Sequence, residues 1–268
     1  MSVSTHQREA VIALARQAAA DILAVYDSAS FASDAAIEHK DDRSPLTAAD
    51  LASHRCIVAG LQSLTPGIPV LSEESKGLDI AERRQWSTLW LVDPLDGTRE
   101  FIKRNGEFTV NIALIEDGVA TFGVIQQPVT GALWHGAPGG GAFRREGDKD
   151  VEIGVRKPAL APLRIAASRS HRDARTQALL DGLPGSDVVG CGSSLKFCRI
   201  AEGGIDLYPR FGPTSEWDTA AGQAILEAAG GAVLDPRGRP LRYNQRDTLL
   251  NGDFLAFGDI ALRDALPA

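Results

Sequence analysis

No apolar run in this chain is longer than a strand, so none can be read as a transmembrane helix. The opening residues, Met1 to Glu9, have neither the basic start nor the apolar core of a signal peptide. Cysteine is scarce. Cys56, Cys191 and Cys198 form an odd, unclustered set, which argues against a disulfide framework or a metal-ligand spacing and for reduced, buried thiols in the cytosol. His6, His39, His54, His135 and His171 are equally scattered and make no zinc set. Basic residues are outnumbered, 28 Lys and Arg against 35 Asp and Glu, and the net charge of −7 argues against general nucleic-acid binding through a basic surface. A small anionic ligand stays open, because bound divalent ions invert the local field. There is no G-x-x-x-x-G-K-[ST], G-x-G-x-x-G, H-E-x-x-H or G-x-S-x-G. The phosphate-loop, dinucleotide, zinc-protease and serine-hydrolase classes therefore lack their signatures.

What is present is an ordinary globular composition, 44% apolar and 24% charged over 268 residues, enough for one large or two modest domains. Val11, Leu14, Ala15, Ala18, Ile22 and Val25 make a helical stripe. Residues 28 to 46 read as polar and irregular. Thr47 and Asp50 then have capping-box spacing before a second stripe from Leu51 to Leu61. Short strands are expected at 68–71 and 89–92. An antiparallel meander is expected over 108–144, where alternation is punctuated by Asp117-Gly118 and Gly139-Gly140-Gly141. The charged stretch 144–158 is the best candidate boundary. Beyond it strands and helices alternate, including a helix from Asp218 to Ala229, which favours an α/β layer.

The chemistry concentrates at Asp93-Pro94-Leu95-Asp96-Gly97-Thr98, where an apolar run breaks into two carboxylates, a glycine and a hydroxyl. Asp50, Glu73 and Asp218 stand at the edges of other elements. Each alone has a structural reading: a helix-dipole residue, a solvated loop acid, an N-cap. Together they can hold hard divalent cations beside a phosphate. Gly97-Thr98 and Asp218-Thr219-Ala220, if both begin helices, would present free N–H groups to an oxyanion. That arrangement suits phosphoryl transfer to water, with Thr98 orienting the water and Asp50 accepting the threonine proton.

Asp93-Pro94-Leu95-Asp96-Gly97-Thr98-Arg99-Glu100-Phe101 resembles the D-P-x-D-G-T-x-x-F motif of the inositol monophosphatase superfamily. Trp217-Asp218-Thr219-Ala220-Ala221-Gly222 resembles its W-D-x-x-A/G-G, Glu73-Glu74 its paired glutamates, and Thr47 to Asp50 its T-x-x-D. Within that superfamily, Gly192 to Cys198 and Asp206 to Asp218 resemble most the 3'(2'),5'-bisphosphate nucleotidases. The resemblance implies a layered α/β/α/β/α sandwich (α+β or α/β in class) of the inositol monophosphatase and fructose-1,6-bisphosphatase type. Its amino-terminal half, 1–158, would carry most metal ligands. Its carboxy-terminal half, 159–268, would carry Asp218 and the substrate side. It implies a lithium-sensitive, Mg2+-dependent enzyme holding two or three ions. Ligands would be Glu73, Asp93, the Leu95 carbonyl, Asp96 and Asp218, and Asp50 and Thr98 would be the catalytic pair. Gly97 and Thr98 would bind the phosphate, Ser193, Lys196 and His171 would lie on the nucleoside side, and Glu216, beside the ligand Asp218, would also bind substrate. Ser193 also has a reading as a helix cap, Lys196 as a solvated helix residue and His171 as a polar loop residue.

The implied reaction is hydrolysis of adenosine 3',5'-bisphosphate to AMP and phosphate. Inositol monophosphate or another sugar phosphate is the alternative substrate class. The location implied is cytoplasmic, with peripheral attachment to the inner face of the inner membrane as a variant for which no amphipathic anchor is evident. Oligomeric state is left open. An aspartyl-phosphate phosphatase would need D-x-D rather than D-x-x-D, and a non-catalytic nucleotide or metal sensor would not need every ligand.

Overall fold

The computed structural model describes residues 3–28, 37–39, 45–75, 79–167 and 173–266. Helix α1 (Thr5–Tyr26) starts at a capping box of Ser4 and Gln7 and buries Val11, Ile12, Ala15, Ala18 and Ile22 along one side. The interval 28–46, expected to be irregular, contains two short antiparallel strands, β1 (Ile37–His39) and β2 (Pro45–Thr47). Helix α2 (Ala48–Leu64) grows from the predicted Thr47/Asp50 box. Then come β3 (Val70–Ser72), α3 (Ile80–Arg83), β4 (Thr88–Asp96) and α4 (Thr98–Ile102). Strand β4 runs on past Val92, where a break was expected, and passes through Pro94. Its ladder with β5 (Thr109–Glu116) shifts register between Asp93 and Asp96, and a bulge tolerates a residue with no N–H to give.

The expected meander follows as β6 (Val119–Gln126), β7 (Leu133–Ala137) and β8 (Gly141–Glu146). It continues into β9 (Lys149–Ile153), an exposed edge strand inside the charged stretch read as a boundary. Charged side chains facing water on an edge strand hide the two-residue period. The remainder alternates as predicted: β10 (Arg164–Ala167), α5 (Ala174–Asp181), β11 (Asp187–Gly190), α6 (Leu195–Ala201), β12 (Leu207–Arg210), α7 (Glu216–Ala228) and β13 (Ala232–Leu234). Strand β14 (Phe254–Phe257) was not foreseen, and a 3₁₀ turn, Ile260–Ala265, follows it. Asp218 does not cap its helix. Ser215 does, and Asp218 sits at the third helical position, within the first turn.

Two large sheets result. The first has strand order β3-β4-β5-β6-β7-β8-β9, antiparallel except for β3 with β4. The second is mixed, β11-β10-β12-β14-β13. Both faces of the first sheet are apolar. Trp90, Val92, Ile112 and Leu114 pack with α1 and α2, and Leu89, Leu91, Ala113 and Ile115 pack with α6 and α7. Helix α7 lies between the sheets, touching β4 to β8 on one side and β13 on the other. Gly222 lets α6 pack against α7, because a Cβ there would clash with Cγ and Cδ2 of Phe197 from α6. Ile165, Leu207 and Leu180 of α5 form a separate core on the second sheet. The molecule is the layered α/β/α/β/α sandwich expected from the sequence.

Candidate active site

Strand β4 delivers Asp93 and Asp96 to the end of the first sheet, and the first turn of α7 delivers Asp218 to the same place. One oxygen from each of the three lies within 4.8 Å of the others, a grouping able to hold a metal ion. Glu73, in the turn after β3, is drawn in by its N–H, which donates to the Val92 carbonyl at 3.0 Å. Its carboxyl group lies close enough to that of Asp93 to push the pKa of the Asp93 carboxyl upward. The Leu95 carbonyl accepts from Thr98 Oγ1 at 3.4 Å, so this carbonyl also lies on the site's edge.

The charges are poorly matched by the protein alone. Burial pushes the Asp93 carboxyl well above the usual carboxylate range, and the neighbouring Glu73, Asp96 and Asp218 push it further. Burial likewise raises Asp218 to about 8, with Asp96 adding to the rise and the Ser215 N–H and Arg210 opposing it. A set of hard oxygens carrying more negative charge than its surroundings compensate is what a divalent cation requires.

Each acid is tied to the fold through one oxygen. The Leu95 N–H donates to Asp93 Oδ1 at 3.0 Å. Asp96 Oδ2 accepts from Ser194 N–H and Ser194 Oγ, both at 2.6 Å, and from Asn111 Nδ2 at 3.5 Å. Asp218 Oδ2 accepts from the Ser215 N–H at 2.8 Å. Asp50 uses both oxygens: Oδ2 receives the Thr47 N–H at 2.8 Å and the Thr47 hydroxyl at 2.5 Å, and Oδ1 receives Thr98 Oγ1 at 3.3 Å. The capping reading and the catalytic reading of Asp50 therefore coexist in different oxygens. Burial lifts Asp50 to about 6, against the Thr47 hydrogen bonds that lower it.

A cavity beside the acids is lined by Asp96, Gly97, Glu107, Ser193, Tyr208 and Asp218, and by three basic residues, Arg99, Lys196 and Arg210. Gly97 has φ +92°, and a side chain there would press on Ser193 Cβ at 3.3 Å and the Glu107 carbonyl at 3.2 Å. Ser193 reaches the cavity from a left-handed backbone, φ +43°. Lys196 also lines it, but its Nζ donates to the carbonyls of Ser193 (2.7 Å) and Cys191 (3.1 Å), which makes it a brace for that loop. Glu216, expected at the substrate, is fully buried and does not line the cavity. Its carboxylate accepts the Asn244 N–H at 2.6 Å and Arg246 Nη2 at 2.7 Å. An acid at that depth needs such partners, and serving them turns it away from the cavity. His171 lies outside the described residues.

Sequence reasoning missed Arg99 and Arg210 as cavity residues, and Ser194 and Asn111 as partners of Asp96. Arg210 precedes the W-D motif in the stretch already quoted, and its charge was a usable signal. The Ser194–Asn111 pairing joins β5 to α6, and nothing in either segment announces the other.

A family model described as "Inositol monophosphatase family" matches residues 6–261. The chain is 50% identical over 245 residues to the 3'(2'),5'-bisphosphate nucleotidase CysQ of Escherichia coli O157:H7, covering 91% of this chain and 96% of that protein. It is 50% identical over 246 residues to the protein of the same name from Salmonella typhimurium, covering 92% and 97%. The crystal structure of CysQ from Bacteroides thetaiotaomicron, described as a bacterial member of the inositol monophosphatase family, superposes with a TM-score of 0.82. It is 42% identical and covers 93% of this chain and 96% of that one.

Proposed function

This chain belongs to the inositol monophosphatase family, and from that premise we propose that it is a 3'(2'),5'-bisphosphate nucleotidase. The reaction is hydrolysis of adenosine 3',5'-bisphosphate to AMP and phosphate by attack of an activated water. The observation that carries this reading is one cavity whose wall includes both the Asp96/Asp218 acids and two arginines, Arg99 and Arg210, with Lys196 bracing the loop at its edge. A bisphosphate brings one phosphate to cleave and a second that needs cationic partners, and such a wall suits both.

Glu73, Asp93, Asp96, Asp218 and the Leu95 carbonyl are the residues proposed to hold two or three Mg2+ ions. When bound, those ions supply positive charge for the phosphoryl oxygens and lower the pKa of the attacking water. Thr98 orients that water, and its hydroxyl proton is directed to Asp50 Oδ1. Gly97 and Thr98 offer backbone N–H groups to the phosphate, and the loop at Ser193 bounds the nucleoside side. Residues 1–158 and 159–268 act in this reading as two halves meeting at the site. Lithium sensitivity and a cytoplasmic location belong to the same proposal. Among the described residues no helix is long and apolar enough to cross a membrane.

Phosphate release with Mg2+ from adenosine 3',5'-bisphosphate and from inositol 1-phosphate at equal concentration tests the assignment. The bisphosphate should turn over faster by at least about tenfold, the ratio that one unmade contact of ~1.4 kcal/mol produces. Faster release from the inositol ester would sink it.

A further inference from the structure

Ser194, at the start of α6, is buried to 1% exposure, and its hydroxyl is shared by three groups from three elements. Asp96 Oδ2 lies at 2.6 Å, the Asp218 backbone carbonyl at 2.7 Å and Asn111 Nδ2 at 2.8 Å. Asn111 can only donate here, so it occupies a lone pair of the hydroxyl. The single hydroxyl proton is left for Asp96 or the Asp218 carbonyl, while the Ser194 N–H holds Asp96 Oδ2 at 2.6 Å in either case.

The amide of Asn111 gives the direction of this arrangement. Its nitrogen faces Ser194 and Asp96, and its Oδ1 is buried with no hydrogen-bond partner. Turning the amide over would set its oxygen against the Asp96 carboxylate. The fold thus leaves one buried acceptor unpaired and keeps every donor on the Asp96 side.

We infer that Ser194 is a positioning residue for the cation site. Its hydroxyl and N–H hold Asp96 through Oδ2 and leave Oδ1 for the cavity. Its contact with the Asp218 carbonyl ties that acid's backbone to the same point, so two acids from different halves of the chain keep a set separation. This rests on the proposed reading that Asp93, Asp96 and Asp218 hold divalent cations.

The test uses Mn2+ as the probe, counted by the electron paramagnetic resonance of the free ion without substrate, on the full-length wild type, Ser194→Ala, Asp96→Asn and the double variant. Ser194→Ala should bind Mn2+ about tenfold more weakly at one site or worse, the range for loss of a group that orients a ligand. On Asp96→Asn, adding Ser194→Ala should cost less than it does on the wild type, because one of the two partners through which the serine acts is already altered and only the Asp218 carbonyl contact is left to lose. Ser194→Thr, which keeps a hydroxyl, should recover most of the affinity. Should Ser194→Ala prove unfolded by circular dichroism, Ser194→Cys, which keeps the size of the side chain but replaces the hydroxyl by a weak donor, should show the loss instead. Undiminished Mn2+ affinity in the folded variant, or an equal further loss on Asp96→Asn, overturns the inference while leaving the metal reading intact. A wild-type chain that binds no Mn2+ overturns both.

Discussion

Asp50 caps a helix with one oxygen and meets Thr98 with the other, which lets its two functions be separated. Asp50→Asn keeps an amide oxygen for Thr47 but loses the basic carboxylate. Its kcat should fall by about 10²- to 10⁴-fold, with the melting temperature little changed, in steady-state kinetics and thermal melts side by side. Thr98→Ala should fall in the same range, and the double variant little further, because the two act as one unit. With Asp50 raised to about 6, the wild-type rate should climb as pH rises through about 6, where the carboxylate becomes free to accept a proton. That limb should vanish in Asp50→Asn, and an unchanged profile would remove Asp50 from the reaction. At this scale the sequence was readable wherever an acid sat in a compact motif. It was unreadable for Ser194 and for Glu216, whose surroundings come from Asn111 and from Asn244 and Arg246, far along the chain.

The elements that carry the site recur in one design. Asp50 and Asp218 each occupy the third position of a helix whose N-cap N–H binds one of their oxygens, Thr47 for α2 and Ser215 for α7. Asp93 and Asp96 flank a bulge instead. Helical stripes and the alternating meander were legible because their faces are buried on a regular period. Strands β1 and β2 were not, being three residues each within a polar stretch, and β14 was not foreseen either. The packing of α6 on α7 makes a prediction here. Gly222→Ala forces a methyl against Phe197 and should destabilise by about 1–3 kcal/mol, read as a lower denaturant midpoint. Gly252, where a methyl meets nothing within 4 Å, is the control and should stay within about 0.5 kcal/mol. Equal midpoints would mean that α6 and α7 yield at no cost.

Across the whole molecule, α7 is the layer both sheets share, so Asp218 is carried by the core rather than by a loop. Its crowding with Asp93 and Asp96 has a thermodynamic consequence. Both Asp93 and Asp218 have folded-state pKa values above the unfolded range, so the folded cation-free protein binds more protons than the unfolded chain. Stability then falls as pH rises, from about 4 to about 8 for Asp218. Saturating Mg2+ should remove that slope, adding about 2.7 kcal/mol at a hundred times Kd. Melting curves at pH 5 and pH 8 with and without Mg2+ check this: the Mg2+ increment must be larger at pH 8. An increment independent of pH would separate the shifted acids from the cation. The layer order itself was legible from the alternation of strands and helices, whereas the position of α7 between two sheets was not, since burial on all sides leaves no stripe to read.

The tethering of each acid through one oxygen also bears on which cation the site prefers. An oxygen already accepting protein hydrogen bonds has little left for an ion, so Asp93, Asp96 and Asp218 are each biased to contribute a single oxygen. Calcium favours six to eight oxygens and often grips a carboxylate by both, whereas magnesium takes six at short distance and keeps several waters. On the proposed cation reading, a fold that commits one oxygen each of Asp93, Asp96 and Asp218 to its own hydrogen bonds would disfavour the larger ion by denying it the second tooth of each chelate.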